Sequence, residues 1–597
     1  MINKNSIIDN TKTLFYALII ALIIRSLFIQ PFYIPSSSME PNLLVGDRLF
    51  VTKYSYGYSK HSFPFSPNVF SGRILYSKPK MGDVVVFKTP ADNRTDYIKR
   101  LIGLPGDKVQ FISSNLYINS SEVMSDNEIC YMSATELSKN YRDKTLSPVE
   151  VIKVLISRAE SINSKLNAFT YTFYEEALDN AKKAEEKFLS KNDNPRLLEG
   201  IPVGIKDESG LKGKPMSNGS LLLEGTISDN DAPINGRILQ EGGIVLARTA
   251  TPEFSCAGYC NNLVTGITRN PWNLDFTPGG SSGGSGAALA AGMIPIATGS
   301  DIGGSIRIPA SCTGVVGYKP PYGRNPEEAP FCLDFFSHVG PMARTVADNA
   351  LLQNIISGPH PLDMATVREN VELPFSGGDI KGKKIAWSDD LGFFEVEASV
   401  RNNFMKTLEV LKDNGAILEK VSVPWTWETY ESYINYLFYG FGAFIGDVCS
   451  GNEDKVTDYA LYWIEKSKTV TPSKFAGAMN TIGEMYSFFG PMMENYHAFL
   501  CPTNALPAVK ADFDHSKDKV VINGKEVEPL GGWFMTHPFN ALSRLPVMSV
   551  PSGFSNDNVP TGIQIVGKSF SDKDVFNVAY VIESASNWYQ ANERPEI

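Results

Sequence analysis

Apolar positions change their spacing along the chain, and those changes predict its organisation. Leu14–Ile29 (LFYALIIALIIRSLFI) is apolar apart from Arg25 and Ser26. As a helix this run reaches about 24 Å, short of a ~30 Å hydrocarbon core, with Arg25 placed to snorkel to the interface. No small-residue cleavage site follows, so the run predicts one uncleaved N-terminal transmembrane helix. Between residues 31 and 125 the pattern is of short β-rich segments, Val84–Lys88 and Lys108–Ile112, set between Pro and Gly. The texture changes again near 132. Asp126–Tyr131 is polar and irregular, and a helix start follows at Ser133-Ala-Thr-Glu-Leu-Ser138. A second start has Ser147 as N-cap, Pro148 at the first helical position and Glu150 three residues after the cap. These signals divide the chain into 1–131 and 132–597.

Helical periodicity continues to about residue 190. Short apolar segments then alternate with Gly-rich turns and helices: Ile201–Ile205, Gly243–Ala247, Ile294–Thr298, Lys384–Trp387, Val547–Val550 and Gly562–Val566. That alternation predicts an α/β domain around a central mixed sheet. No solenoid-length repeat is present.

Charge supports two segments of different character. Residues 1–131 carry a net charge of +4 and the rest −14. Neither has the dense basic clusters of a nucleic-acid binder, so no nucleic-acid partner is expected. Seven scattered cysteines form no disulfide framework and fit a reducing compartment. Cys256 and Cys260 are expected to pack as small residues, because no second Cys/His pair lies nearby.

Three segments carry candidate chemistry. Gly200-Ile-Pro-Val-Gly-Ile-Lys206-Asp207 reads as a strand ending in a lysine. Thr277-Pro-Gly-Gly-Ser281-Ser-Gly-Gly-Ser285 opens into an Ala-rich helix, and Gly299-Ser-Asp-Ile-Gly-Gly-Ser305-Ile-Arg-Ile-Pro is a second small-residue turn. A serine hydroxyl needs a base to become a competent nucleophile, and a lysine serves only when neutral, which burial among neutral hydroxyls favours. The backbone N–H groups of Ile302, Gly303, Gly304 and Ser305 are candidate donors to a tetrahedral oxyanion.

In order and spacing, with 75 residues from Lys206 to Ser281 and 24 from Ser281 to Ser305, these segments resemble the hallmark segments of the amidase signature family. The resemblance extends through Ala247–Phe254, Arg269–Asn273, Gly314–Pro320, Pro538–Asn540, Ser549–Gly553 and Pro560–Gly567, nearly all of 134–597. It implies an α/β/α amidase-signature domain acting on a small-molecule or acyl amide without metal or cofactor. Ser305 is then the nucleophile, Ser281 the bridging serine behind a cis peptide bond, and Lys206 the base. One amidase-signature protein, a component of the glutamine-dependent tRNA amidotransferase, shares this triad but requires partner proteins and an ammonia route. Glu208-Ser209-Gly210 replaces the usual Asn-rich segment, a departure expected to affect substrate range rather than mechanism. A competing pattern, Gly279-Gly-Ser281-Ser-Gly283, fits the G-x-S-x-G elbow and would need one of His338, His360, His497, His515 or His537 as base.

Residues 12–107 resemble bacterial signal peptidase I. Pro35-Ser-Ser-Ser38-Met-Glu-Pro41, Gly46–Lys53, Met81–Phe87 and Asp96-Tyr-Ile-Lys99–Asp107 carry the likeness. It implies Ser38 as nucleophile and Lys99 as base, with preprotein signal peptides as substrates. The family's further β-structure and its G-D-N-R segment are missing. A small, incomplete all-β module with impaired activity and exposed apolar edges is therefore expected. Retained, the N-terminal run predicts single-pass membrane anchoring; a start at Met132 predicts a free, cytoplasmic amidase.

Overall fold

A computed structural model of the chain describes residues 4–39, 43–64, 66–68, 70–112, 115–118, 121–122, 124–190, 194–586, 588 and 594–597. Two compact units emerge, Met1–Ser125 and Asp126–Ile597.

The second unit opens with a helix that the sequence pattern hides. Asp126–Tyr131 is helical, with its acidic residues in the first turn, where they complement the helix dipole. Ile129, Cys130 and Tyr131 are buried, and Arg158 and Arg344 stack over the Tyr131 ring. The division therefore falls six residues ahead of the expected joint. The next two helices, Ala134–Asp143 and Pro148–Leu166, both begin in capping boxes, built by Ser133 with Glu136 and by Ser147 with Glu150. Each box satisfies two backbone N–H groups that a helix start otherwise leaves open.

Among the described residues, eleven strands form the central sheet. From one edge its order is Ile417–Lys420, Lys384–Trp387, Ala498–Pro502, Pro560–Val566, Val547–Phe554, Val316–Lys319, Val339–Ala343, Ile296–Ser300, Pro202–Lys206, Ile244–Thr249 and Phe169–Thr172. All six expected strands are in it. The sheet is mixed, as expected. Pro202–Lys206 runs parallel to both neighbours, whereas Ile296–Ser300 meets Val339–Ala343 antiparallel. Interior strands such as Pro202–Lys206 and Pro560–Val566 are buried throughout, which explains why they are mainly apolar apart from Lys206, Thr561 and Gln564. All seven cysteines are free and buried, and Cys260 Sγ lies 3.4 Å from Thr268 Oγ1 in a packed position.

The first unit is made of small pieces. Ile29–Tyr33 pairs with Arg48–Thr52, Val84–Lys88 with Asp96–Arg100, and Val109–Ile112 joins two further short strands. Large apolar side chains such as Phe50, Leu75 and Tyr76 are exposed, as expected of an incomplete β module.

The expected transmembrane helix is not supported. A helix spans Lys4–Leu27, but its first ten residues, Lys4–Thr13, are largely polar and it ends before Ile29, which starts a strand. Its apolar part, Leu14–Leu27, reaches only about 21 Å. Among the described residues no helix is long and apolar enough to cross a membrane, so the expectation of single-pass anchoring is not supported.

Candidate active site

Lys206 is the last residue of a buried strand, and the end of the parallel neighbour Ile296–Ser300 lies beside it. In open α/β sheets, ligand crevices form at the carboxyl ends of parallel strands. Here the two strand ends place Lys206 Nζ 2.8 Å from Ser300 Oγ, and the incoming Gly/Ser loop places it 2.6 Å from Ser281 Oγ. The Lys206 side chain is 1% exposed. Burial lowers its pKa from the ordinary lysine value, while the Glu208 carboxylate 3.0 Å away works in the opposite direction.

The peptide bond before Ser281, Gly280–Ser281, is cis, as the resemblance implies. The two serine turns meet through the backbone, where Ser282 N–H donates to the Ser305 carbonyl at 3.1 Å. Among the described residues no hydrogen bond joins the Ser281 and Ser305 hydroxyls directly.

Ile302 to Ser305 present four successive backbone N–H groups, and among the described residues none of them donates to a protein acceptor. Such a row can receive a developing oxyanion. Glycine is required at its centre. Gly304 has φ +128°, and a Cβ there would lie 2.0 Å from Thr536 Oγ1; a Cβ on Gly303 would lie 2.2 Å from the Tyr433 hydroxyl.

Below this turn is a buried ion pair that sequence reasoning missed. Arg307 donates to Asp301 through Nε and Nη2, both at 2.9 Å, and both side chains are fully buried. Asp301 also accepts from Asn540 Nδ2 and from Ile306 N–H, while Arg307 reaches Gln564, Asn540 and the Thr536 carbonyl. A signal was available, since two charged residues stand inside a segment otherwise made of small and apolar ones. Ser300 was likewise not singled out, and Glu208 was noted only as part of a departure expected to affect substrate range.

Two small cavities meet at the turn. One, of about 90 Å3, is lined by Ser281, Ser300, Glu208 and Glu327. The other, of about 40 Å3, is apolar and lined by Ser305, Gly303, Tyr430, Tyr433 and Phe534. Tyr430 and Tyr433 are thus both core and wall, whereas Trp425 and Phe438 are buried core.

No described histidine hydrogen-bonds to Ser281. His338 meets the Asp301 and Ser543 carbonyls, His515 meets Tyr259, and His497 pairs with Asp574. The elbow pattern therefore has no base at its serine. In the first unit Lys99 Nζ donates to Ser38 Oγ, so that expected pair also meets, in a solvent-exposed contact. Glu40 and Pro41 of its motif lie outside the described residues.

Residues 150–576 match the family described as amidase. The chain belongs to the amidase signature family. It is 33% identical over 485 residues to a glutamyl-tRNA(Gln) amidotransferase component of Clostridium botulinum, covering 76% of this chain and 98% of that one. With the acylamidase of Rhodococcus erythropolis it shares 30% identity over 478 residues, covering 79% and 98%. The crystal structure of a bacterial aryl acylamidase of the amidase signature enzymes superposes with a TM-score of 0.73 at 29% identity, covering 77% of this chain and 97% of that one. Residues 7–162 match a second family, signal peptidase, peptidase S26. Membership places the second unit among hydrolases of C–N bonds.

Proposed function

We propose that residues 126–597 hydrolyse a carboxylic amide through an acyl-enzyme, with Ser305 as nucleophile, Ser281 as proton relay and Lys206 as base. The observation that carries this reading is the buried Lys206 Nζ set 2.6 Å from Ser281 Oγ. Burial favours the neutral amine that a base requires. As Ser305 Oγ attacks the carbonyl carbon, its proton passes to Ser281 and the Ser281 proton to Lys206. The oxyanion forms against the N–H groups of Ile302 to Ser305. The proton then returns through Ser281 to the leaving nitrogen as the C–N bond breaks, and water discharges the acyl-Ser305 ester along the same relay.

The test is turnover of simple aryl amides such as p-nitroacetanilide. Lys206→Ala and Ser305→Ala are expected to lose at least about 10³-fold in kcat/KM while keeping wild-type circular dichroism. Acyl transfer to hydroxylamine should vanish in Ser305→Ala. Turnover that persists in Lys206→Ala would exclude this mechanism.

The Ser38–Lys99 contact and the signal peptidase match favour a second reading for the first unit, cleavage of preproteins. We infer that this activity is weak, because the contact is open to solvent and, among the described residues, no strand covers it. The full chain incubated with a preprotein tests this. Cleavage that disappears in Ser38→Ala would establish the peptidase.

A further inference from the structure

Glu208 belongs to a departure from the family pattern that is expected from the sequence to affect substrate range rather than mechanism. Its position says otherwise. Glu208 Oε2 lies 3.0 Å from Lys206 Nζ, with its side chain 17% exposed. Ser255 Oγ donates to the same oxygen at 2.5 Å, and Ser255 is itself tied to Thr251 Oγ1 and Asn218 Oδ1. An ammonium has three N–H donors. Lys206 Nζ has three acceptors within reach: Ser281 Oγ, Ser300 Oγ and Glu208 Oε2. The nitrogen is therefore held in a complete cage, and only one member of that cage carries a charge.

Resting on the Ser305–Ser281–Lys206 reading, we propose that Glu208 is a positioning residue: the counter-ion that stabilises Lys206 as an ammonium whenever the relay delivers a proton, and that keeps Nζ aimed at Ser281. The proton balance is closed. Before attack, Lys206 is an amine and both serines are hydroxyls. At the tetrahedral stage the Ser305 Oγ–C bond has formed, the carbonyl oxygen is an anion, Ser281 is again a hydroxyl, and Lys206 is an ammonium facing the Glu208 carboxylate. When the C–N bond breaks, the leaving nitrogen takes the proton and Lys206 is an amine once more.

Other groups around Lys206 leave this part to Glu208. Asp301 raises its proton affinity from a greater distance, with its carboxylate already engaged by Arg307 and Asn540. Cys260 is a thiol whose pKa burial pushes up to about 11, so it is uncharged at neutral pH. The Asp207 carboxylate is turned away onto the Ser217 N–H and hydroxyl. Thr298, Ser281 and Ser300 are neutral. A buried lysine with only neutral partners would be a weak base, easily neutral but slow to take a proton. Glu208 moves the balance back, and Ser255 fixes where it acts.

The experiment is the pH dependence of kcat/KM for an aryl amide, measured on the full chain as wild type, Glu208→Gln, Glu208→Asp, Ser255→Ala and Lys206→Ala. The acidic limb reports protonation of the base in the free enzyme. Glu208→Gln should move that limb to lower pH by about one unit or more, reduce the plateau by about tenfold or more and leave KM within about threefold. Glu208→Asp should restore part of the shift. Ser255→Ala should move the limb in the same direction by less, and it keeps the test open should Glu208→Gln fail to fold. A reduced plateau with an unmoved limb in the variants that fold would overturn the proposal, because a merely structural residue would act that way. Activity that survives in Lys206→Ala would instead overturn the mechanism on which it rests.

Discussion

Replacing Asp301 by asparagine should separate the turn that carries Ser305 from the support beneath it. The Asp301 carboxylate accepts from Arg307 Nε and Nη2, Asn540 Nδ2 and the Ile306 N–H. An asparagine keeps one acceptor oxygen and turns an NH2 towards donors, leaving the Arg307 charge buried without its partner. Breaking a buried pair in this way costs about 3–5 kcal/mol, a fifth or more of the ~5–15 kcal/mol that holds a typical domain folded. Urea unfolding followed by tryptophan fluorescence should show a lower midpoint at unchanged slope. The same change loosens the row of N–H groups from Ile302 to Ser305, so kcat should fall by about 10²–10³-fold, the scale of a lost oxyanion donor. A double variant, Asp301→Leu with Arg307→Met, removes both charges and should recover most of the stability without recovering activity. Stability within about 1 kcal/mol of wild type and kcat within about threefold for Asp301→Asn would refute the anchoring role.

Three further outcomes follow from the same geometry. Gly304→Ala should abolish most amide turnover, because its Cβ would fall 2.0 Å from Thr536 Oγ1 on a backbone at φ +128°; kcat/KM beside circular dichroism checks it. Burial pushes His338, His515 and His537 down to about 3 from an ordinary value of 6.5. The unfolded chain therefore takes up protons that these three groups refuse in the folded state, so their contribution to stability should fall as pH drops below 6.5 towards 3, against an opposite contribution from Asp207, Glu327 and Glu583, whose carboxyls burial pushes up to about 6, 8 and 7. Asp301 adds to the loss only at the acid end: burial raises its carboxyl pKa, but Arg307 outweighs that and holds it at about 2, so its contribution is lost as pH falls from about 4 to 2. Urea midpoints at pH 7, 5 and 4 for wild type and His515→Gln test the histidine part: the variant should lose less stability on acidification than wild type, and equal losses would refute it. Finally, a chain started at Met132 loses the buried Ile129 and Tyr131 and should be less stable than one started at Asp126 by roughly 3 kcal/mol, read by thermal unfolding of the two.

What the sequence made legible depended on how local each signal was. The sheet strands were readable because short apolar runs between Gly-rich turns are set by burial on both faces. The capped starts at Ser133 and Ser147 were readable because a capping box is complete within four residues. The Asp126–Tyr131 helix was not, since its first turn is polar and its burial comes from Arg158 and Arg344 far along the chain. The transmembrane expectation is unsupported for a related reason: the pattern gave the apolar run but not the end of the helix at Leu27. At the site, Lys206, Ser281 and Ser305 were identifiable from ordered motifs. Glu208 and the Asp301–Arg307–Asn540 support were not, because their partners are fixed only when strand ends and turns converge.

The chain contains two lysine–serine contacts, and their surroundings decide what each can do. At Ser38, Lys99 reaches the hydroxyl across an exposed surface between small two-stranded sheets. At Ser281, Lys206 comes from an interior strand, third from one edge of an eleven-stranded sheet, and meets two hydroxyls and one carboxylate with 1% of its side chain exposed. A motif supplies the residue types, but neutralising a lysine takes desolvation, and desolvation takes packed strands on both sides. The second unit has them and the first does not. The Glu208 cage then follows as a consequence of that burial: a base pulled so far from water needs a nearby charge to hold the proton it accepts, and the polar cavity beside Ser281 is where that charge is found.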